Sequence, residues 1–143
     1  MRLRNIPRAD ETVSASPFVI NEPAELRGRW HELFGNDNPI RIEVGMGKGR
    51  FLRDLAALNP DVNYVGIERY TSVLLRAVER VEQEEPTNFY FMCEDAAILP
   101  ELFAPGEVDR IYLNFSDPWP KSGHEKRRLT YGSFLAQYRT VMD

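Results

Sequence analysis

Short apolar runs alternate with amphipathic stretches along this chain. Residues 1–20 have no periodicity, carry Pro7, Pro17 and many polar groups, and read as an arm or loop. In PAELRGRWHELF (Pro23–Phe34), Leu26, Trp30, Leu33 and Phe34 share one face at helical spacing, and GNDNP ends the pattern. IRIEVG alternates as a strand and runs into glycines. RFLRDLAALNP predicts a helix with Phe51, Leu52, Leu55 and Leu58 on one side and Asn59-Pro60 as its stop. VNYVGIE predicts a second strand, and TSVLLRAVERVEQEEP a second helix with Leu74, Ala77, Val78 and Val81 inward. NFYFMCED reads as a third strand, AAILPELF as a short helix or turn, and VDRIYLNFSD as a fourth strand. SFLAQYRTVMD begins another helix.

Strand–helix alternation with short connections predicts an α/β fold, a Rossmann-like doubly wound and mostly parallel sheet with helices on both faces. The expected layout is a basic N-terminal arm over residues 1–20 and one domain over residues 21–143. Only four strands are legible before Asp143, whereas a doubly wound sheet continues beyond its switch point. The domain is therefore expected to be C-terminally incomplete.

Composition narrows the class. With 143 residues, 43% hydrophobic and 28% charged, the chain suits one domain with a real core. Cys93 is the only cysteine, which excludes an internal disulfide and a thiolate zinc cluster; in its apolar run it is expected to be a small core residue. The two histidines, His31 and His124, lie in different segments, so no metal is expected. No run approaches the ~18 apolar residues of a membrane span, and MRLRNIPRADE lacks the apolar stretch of a secretory signal. A cytoplasmic protein with no membrane partner is the expectation. The net charge of −4 argues mildly against nucleic acid, but the charge is segregated. Arg2, Arg4 and Arg8 form one basic patch and Lys121, Lys126, Arg127 and Arg128 another, while Glu82, Glu84 and Glu85 gather at a helix end.

The glycines carry the first chemical signal. EVGMGKG sets Gly45, Gly47 and Gly49 between a strand and a helix, where a ligand can lie against backbone N–H groups. A Walker A loop fails, because Lys48 is followed by Gly49 and Arg50 and the upstream glycine is missing. A dinucleotide loop is GxGxxG, whereas here the third glycine comes one residue early. Preceded by Glu43, that spacing resembles motif I of the Rossmann-like S-adenosylmethionine methyltransferases, the class I methyltransferase fold. A plain strand–helix turn rarely needs three alternating glycines.

Acids at the strand ends sharpen the choice. Glu43 lies near the end of the first strand, Glu68 ends the second, Asp95 follows the third and Asp117 ends the fourth. A parallel sheet gathers all four at its carboxyl edge, where ligands bind. Asp95 is also a credible cap for the AAILPELF helix. Such an acidic rim repels a pyrophosphate and attracts a sulfonium with a free ammonium group, which favours S-adenosylmethionine over a nicotinamide cofactor.

After the fourth strand comes NFSDPWPKSGHEKRR. With MRLRN, IEVGMGKGRF and YVGIER, it makes the chain similar over essentially its whole length to the bacterial tRNA (guanine-N7-)-methyltransferases. The resemblance implies a tRNA substrate, S-adenosylmethionine as cofactor, and N7 of a guanosine, in the variable loop, as the methyl acceptor. It implies that Glu43, Glu68, Asp95 and Asp117 bind the cofactor, with backbone contacts from the glycine loop, and that Asp117 is catalytic. Lys121 matches a substrate-binding lysine, and Gly123, His124, Glu125, Lys126, Arg127 and Arg128 match a segment that contacts RNA. The family's further substrate contacts, an aspartate and a Thr-rich motif, fall beyond Asp143.

The chemistry is consistent with that assignment. Guanine N7 has a lone pair and no proton, so catalysis is chiefly alignment. Methylation leaves the purine positive, and a carboxylate accepting from the N1–H and N2 edge strengthens as that charge develops. The prolines around Asp117 restrict the loop. Trp119 can stack on a base or anchor the loop from beneath. Lys121 and Lys126–Arg128 suit RNA phosphates. Alternatives are methylation of an exocyclic base nitrogen, a non-catalytic RNA-binding fragment, and, weakest, an NAD oxidoreductase. Monomer and homodimer remain equally open.

Overall fold

A computed structural model of the chain describes residues 9–46 and 49–113. Its centre is a sheet of β1 (Ile40–Val44), β2 (Asn63–Ile67), β3 (Phe89–Met92) and β4 (Arg110–Leu113), all parallel, in the order β3-β2-β1-β4. The helices are α1 (Ala9–Ala15), α2 (Trp30–Phe34), α3 (Arg50–Leu58), α4 (Thr71–Glu84) and α5 (Leu99–Leu102). The order of strand addition reverses at β1: β2 and β3 lie to one side and β4 to the other. That break in strand order is the switch point at which such sheets open a crevice for ligands.

Alternation within the strands divides the core. Ile40, Ile42 and Val44 of β1 pack with Trp30, Leu99, Leu102 and Phe103 on one face. The other face holds Leu52 and Ala56 of α3 with Leu74, Ala77, Val78 and Val81 of α4, and Val13 of α1. Helices thus cover both faces, as the alternation predicts. Residue positions two apart in β1 point the same way, so Arg41 and Glu43 belong to the second face.

Three expectations need correction. Residues 9–20 are no free arm: α1 packs on α4, and Val13 and Val19 are buried. Phe18–Ile20 add a short parallel pairing to β3, with Phe91 N–H donating to Phe18 C=O (2.7 Å) and Ile20 N–H to Phe91 C=O (2.8 Å). The physical reason is the open edge of β3, whose unpaired backbone groups need a partner. Arg2, Arg4 and Arg8 lie outside the described residues.

Secondly, Pro23–Phe34 is two pieces, a 3-10 turn at Pro23–Leu26 and then α2. Between them the Glu107 carboxylate takes the backbone: Oε1 accepts from Gly28 N–H and Ala104 N–H (2.8 Å each), and Oε2 from Trp30 N–H (3.2 Å). A distant acid satisfies donors that a continuous helix would have used itself. The predicted apolar face survives, with Trp30 fully buried and Leu26, Leu33 and Phe34 packed around it.

Thirdly, α3 turns Leu52 and Ala56 inward, while Phe51 is 49% and Leu58 77% exposed. Leu52, Leu55 and Ala56 follow the i, i+3, i+4 stripe, and Phe51 and Leu58 fall at its margins. Phe51 meets Tyr112 of β4 edge to face, ring centres 5.3 Å apart. The helix expected at SFLAQYRTVMD lies outside the described residues.

Candidate functional site at the carboxyl edge

The strand ends of β1, β2 and β3 deliver their acids to one edge. Glu43 is held inside β1, opposite Gly66 of β2 and Tyr112 of β4 in the register. Its residue exposure is 2%, and among the described residues its Oε1 has no hydrogen-bond donor. Burial, and then the charge of Glu68, push its carboxyl up to about 7. Burial with no donor to Oε1 therefore favours the neutral form below about pH 7, and a cation placed beside it favours the charged one.

Glu68 follows β2 directly; its N–H donates to Met92 C=O (3.1 Å) and its Oε2 accepts from Arg69 N–H (2.9 Å). Asp95 stands three residues beyond β3. Its Oδ1 accepts from Ala97 N–H (2.9 Å), capping the turn at Ala96–Ile98, so the capping role read from sequence is present. Its Oδ2 is 3.9 Å from Arg69 Nε, and the Arg69 guanidinium lies over the Tyr70 ring at 5.6 Å.

The described residues that flank the glycine loop are tied down. Gly45 N–H and Met46 N–H donate to Ile67 C=O (2.9 and 3.3 Å), which binds the loop to the end of β2. Gly49 stands at φ 74°, the left-handed region that glycine tolerates, and starts α3. Met46 is buried at 2% exposure with its thioether directed into the core. A Cβ on Gly49 would come within 2.5 Å of Met46 Cε, and one on Gly66 would collide with Met46 Sδ. These two glycines thus make room for the methionine, a packing need that the motif alone does not disclose.

Of the residues expected from sequence, Glu43, Gly45, Gly49, Glu68 and Asp95 come together at this edge. Gly47, Asp117, Lys121 and Gly123–Arg128, with Trp119, lie outside the described residues. Three further groups belong to the edge and were not singled out. Arg69 pairs with Asp95. Glu94 has its carboxyl pushed up by burial and then by Asp95 and Glu101. Cys93, expected in the core, is half-buried, donates Sγ–H to Arg69 C=O (3.5 Å), and has its thiol pushed up by burial and the acids around it. Adjacent acids in CED were the available signal for Glu94; nothing in the sequence pairs Arg69 with Asp95.

A recess of about 230 Å³ sits at the opposite edge, lined by residues including His31, Asp37, Glu107 and Asp109. Two of its acids have internal work: Glu107 holds three backbone donors, and Asp109 Oδ2 accepts from Arg41 Nε at 3.0 Å. Among the described residues no group of three or more His, Cys, Asp or Glu is arranged for a metal, and no helix is long and apolar enough to cross a membrane.

The parallel order β3-β2-β1-β4, with a glycine loop after β1 and acids near the end of β1 and after β2 and β3, defines a class I methyltransferase fold. Solved structures agree on the fold. An antibiotic-related methyltransferase matches with a TM-score of 0.64 at 21% identity, over 81% of this chain and 58% of its own. Phosphoethanolamine N-methyltransferase 2 of Haemonchus contortus, solved with S-adenosyl-L-methionine, matches with a TM-score of 0.56 at 20% identity, over 78% of this chain and 24% of its own. Sequence comparison goes further. A family described as "Putative methyltransferase" matches residues 37–143. A tRNA (guanine-N(7)-)-methyltransferase of Lachnoclostridium phytofermentans is 58% identical over 96% of this chain and 64% of its own. Those of Bacillus licheniformis and Bacillus subtilis are 54% and 52% identical, each over 99% of this chain and 67% of their own. The chain belongs to the tRNA (guanine-N(7)-)-methyltransferase family. It spans about two thirds of the length of these relatives.

Proposed function

We propose that this chain is the cofactor-binding and catalytic part of an S-adenosylmethionine-dependent tRNA methyltransferase acting on N7 of a guanosine. The observation that carries the reading is the buried carboxyl of Glu43, one oxygen without a donor, beside a glycine loop at the switch point of a parallel sheet. That arrangement suits a ligand bearing positive charge and unsuits a pyrophosphate. Relatives more than 50% identical bear the tRNA (guanine-N(7)-)-methyltransferase name, which supports the same substrate here.

When bound, the cofactor supplies a methyl group activated by a positively charged sulfur. Glu43 offers the cation a desolvated acceptor, Glu68 suits a ribose diol, and Asp95 keeps one oxygen, Oδ2, outside its capping bond. Gly45 and Met46, at the entry to the glycine loop, are already bound to Ile67 C=O, which lowers the ordering cost of binding at that end. Asp117 orients the guanine and stabilises its developing charge, while Lys121 and the segment Gly123–Arg128 hold the RNA. The guanosine lies in the variable loop, and the protein works in the cytoplasm.

The test incubates the full chain with unmodified tRNA and cofactor, digests the RNA and identifies the nucleoside by mass spectrometry. 7-Methylguanosine is the expected product. Methylation of an exocyclic nitrogen would replace the substrate claim, and calorimetric cofactor binding without turnover would reduce the chain to a binding fragment. Asp117→Ala is expected to lower kcat by about 100-fold or more, the usual scale for losing a preorganised charge-stabilising group. An unchanged rate in that variant would remove Asp117 from the mechanism.

A further inference from the structure

Glu43 occupies a place in which a permanent negative charge has no described support. Its carboxyl is buried at the end of β1, with Oε1 lacking a donor and Glu68 as its nearest charged influence. The titratable and charged groups of the elements around β1 do not relieve it. On β1 itself Arg41 is engaged by Asp109. β2 presents Tyr64 and is followed by Glu68, and β4 presents Tyr112 in register with Glu43 and Arg110, exposed, at its opposite end. The segment after β3 adds Cys93, Glu94 and Asp95, with Arg69 exposed and 3.9 Å from Asp95. On α3, Arg53 pairs with Glu84 at 2.7 Å, and Arg50 is exposed.

We propose that Glu43 is a proton-exchanging anchor: it holds a proton in the empty site and releases it to solvent when the cofactor's positive charge is seated. This rests on the reading that the site binds S-adenosylmethionine. The step breaks one carboxyl O–H bond; the proton goes to buffer, the electron pair stays on the oxygen, and the new carboxylate faces the ligand's cation. Nothing is oxidised or reduced. An empty site avoids a bare buried charge beside Glu68, and a filled one gains a full ion pair in a place shielded from water. Cofactor capture and proton release are then a single linked equilibrium, and by that linkage acid weakens binding.

Calorimetry of S-adenosylmethionine binding to the full chain, at about pH 6.5 in buffers of different ionisation enthalpy, counts the protons. With the carboxyl at about 7, roughly three quarters of a proton should be released per cofactor bound. The ligand's own amino group, ordinarily near 7.7–8.0, is then mostly protonated and adds little. Dissociation constants should rise roughly 20-fold between about pH 7.5 and 5.5. Glu43→Gln should abolish the buffer dependence. Release that persists in that variant would assign the proton elsewhere and overturn the proposal. If the variant fails to fold, infrared difference spectra of the wild-type chain decide: loss of a protonated-carboxyl C=O band on binding supports the exchange, and its absence overturns it. Cofactor binding with a buffer-independent enthalpy would overturn the proposal and leave the functional reading intact. No binding at all in the wild-type chain would remove both.

Discussion

Burial of Glu43 within β1 strips its carboxyl of water while supplying no donor to Oε1, and that has a consequence for the protein alone. The carboxyl is raised from the ordinary value of 4.5 to about 7, so the folded chain binds more protons than the unfolded chain between those limits. Stability from this group is therefore full below about 4.5 and is lost as pH rises through about 7. The integrated loss is on the order of 3 kcal/mol. Glu43→Gln keeps the shape and removes the charge. It should raise the melting temperature at pH 8, where the wild-type group is ionised, and flatten the slope of stability between pH 5 and 8. A variant no more stable than wild type at pH 8 would show that the native site satisfies the carboxylate. Glu43 was readable as a site residue from its place before the glycines. Its missing donor was not, because hydrogen-bond supply depends on groups brought from β2, β3 and β4.

Among the elements, the connection from β1 to α3 shows how packing decides what a motif means. Gly45, Gly47 and Gly49 announce a ligand loop in the sequence, yet Gly49 also yields space to Met46, and so does Gly66 near the end of β2. Gly66→Ala should cost about 1–3 kcal/mol by overpacking against the Met46 sulfur. Met46→Ala should cost about 2–5 kcal/mol by opening a cavity. The double variant should be less destabilised than the sum, since the new methyl occupies vacated space. Denaturant unfolding of the four proteins measures the coupling, and strict additivity would refute the contact. At the other edge, Glu107→Ala should cost about 2–3 kcal/mol, because three backbone donors lose one charged acceptor. Helical spacing found the face of Trp30 and Leu33 but missed the interruption before α2. The acid that organises it lies 77 residues from Trp30, beyond any local pattern.

For the whole molecule, residues 9–22 are a structural part of the domain. Val13 and Val19 sit at 3% and 7% exposure, and Phe18–Ile20 close the edge of β3. Asp10 Oδ1 accepts from Thr71 Oγ1 (2.6 Å), joining α1 to the start of α4 just after Glu68, Arg69 and Tyr70. Deleting residues 1–20 should lower stability by at least about 3 kcal/mol, the burial worth of two valines, and expose a sheet edge that promotes association. Thermal unfolding and light scattering read both effects; a deletion variant as stable and monodisperse as the intact chain would restore the arm reading.

Alternation of apolar strands with amphipathic helices was sufficient to foretell a parallel α/β sheet, because buried strands and half-buried helices each need a fixed local period. Strand ends were legible for the same reason, which placed Glu43, Glu68 and Asp95 on one edge before any coordinates. Inward positions of α4 were legible too, since Leu74, Ala77, Val78 and Val81 form a clean stripe. Only tertiary structure decided the rest: the pairing of Phe18–Ile20 with β3, the clamp of Glu107, the seat of Met46 and the donorless Oε1 of Glu43. Each arises between segments far apart in the chain, and local periodicity carries no information about which distant group will arrive to supply a donor, a charge or a volume.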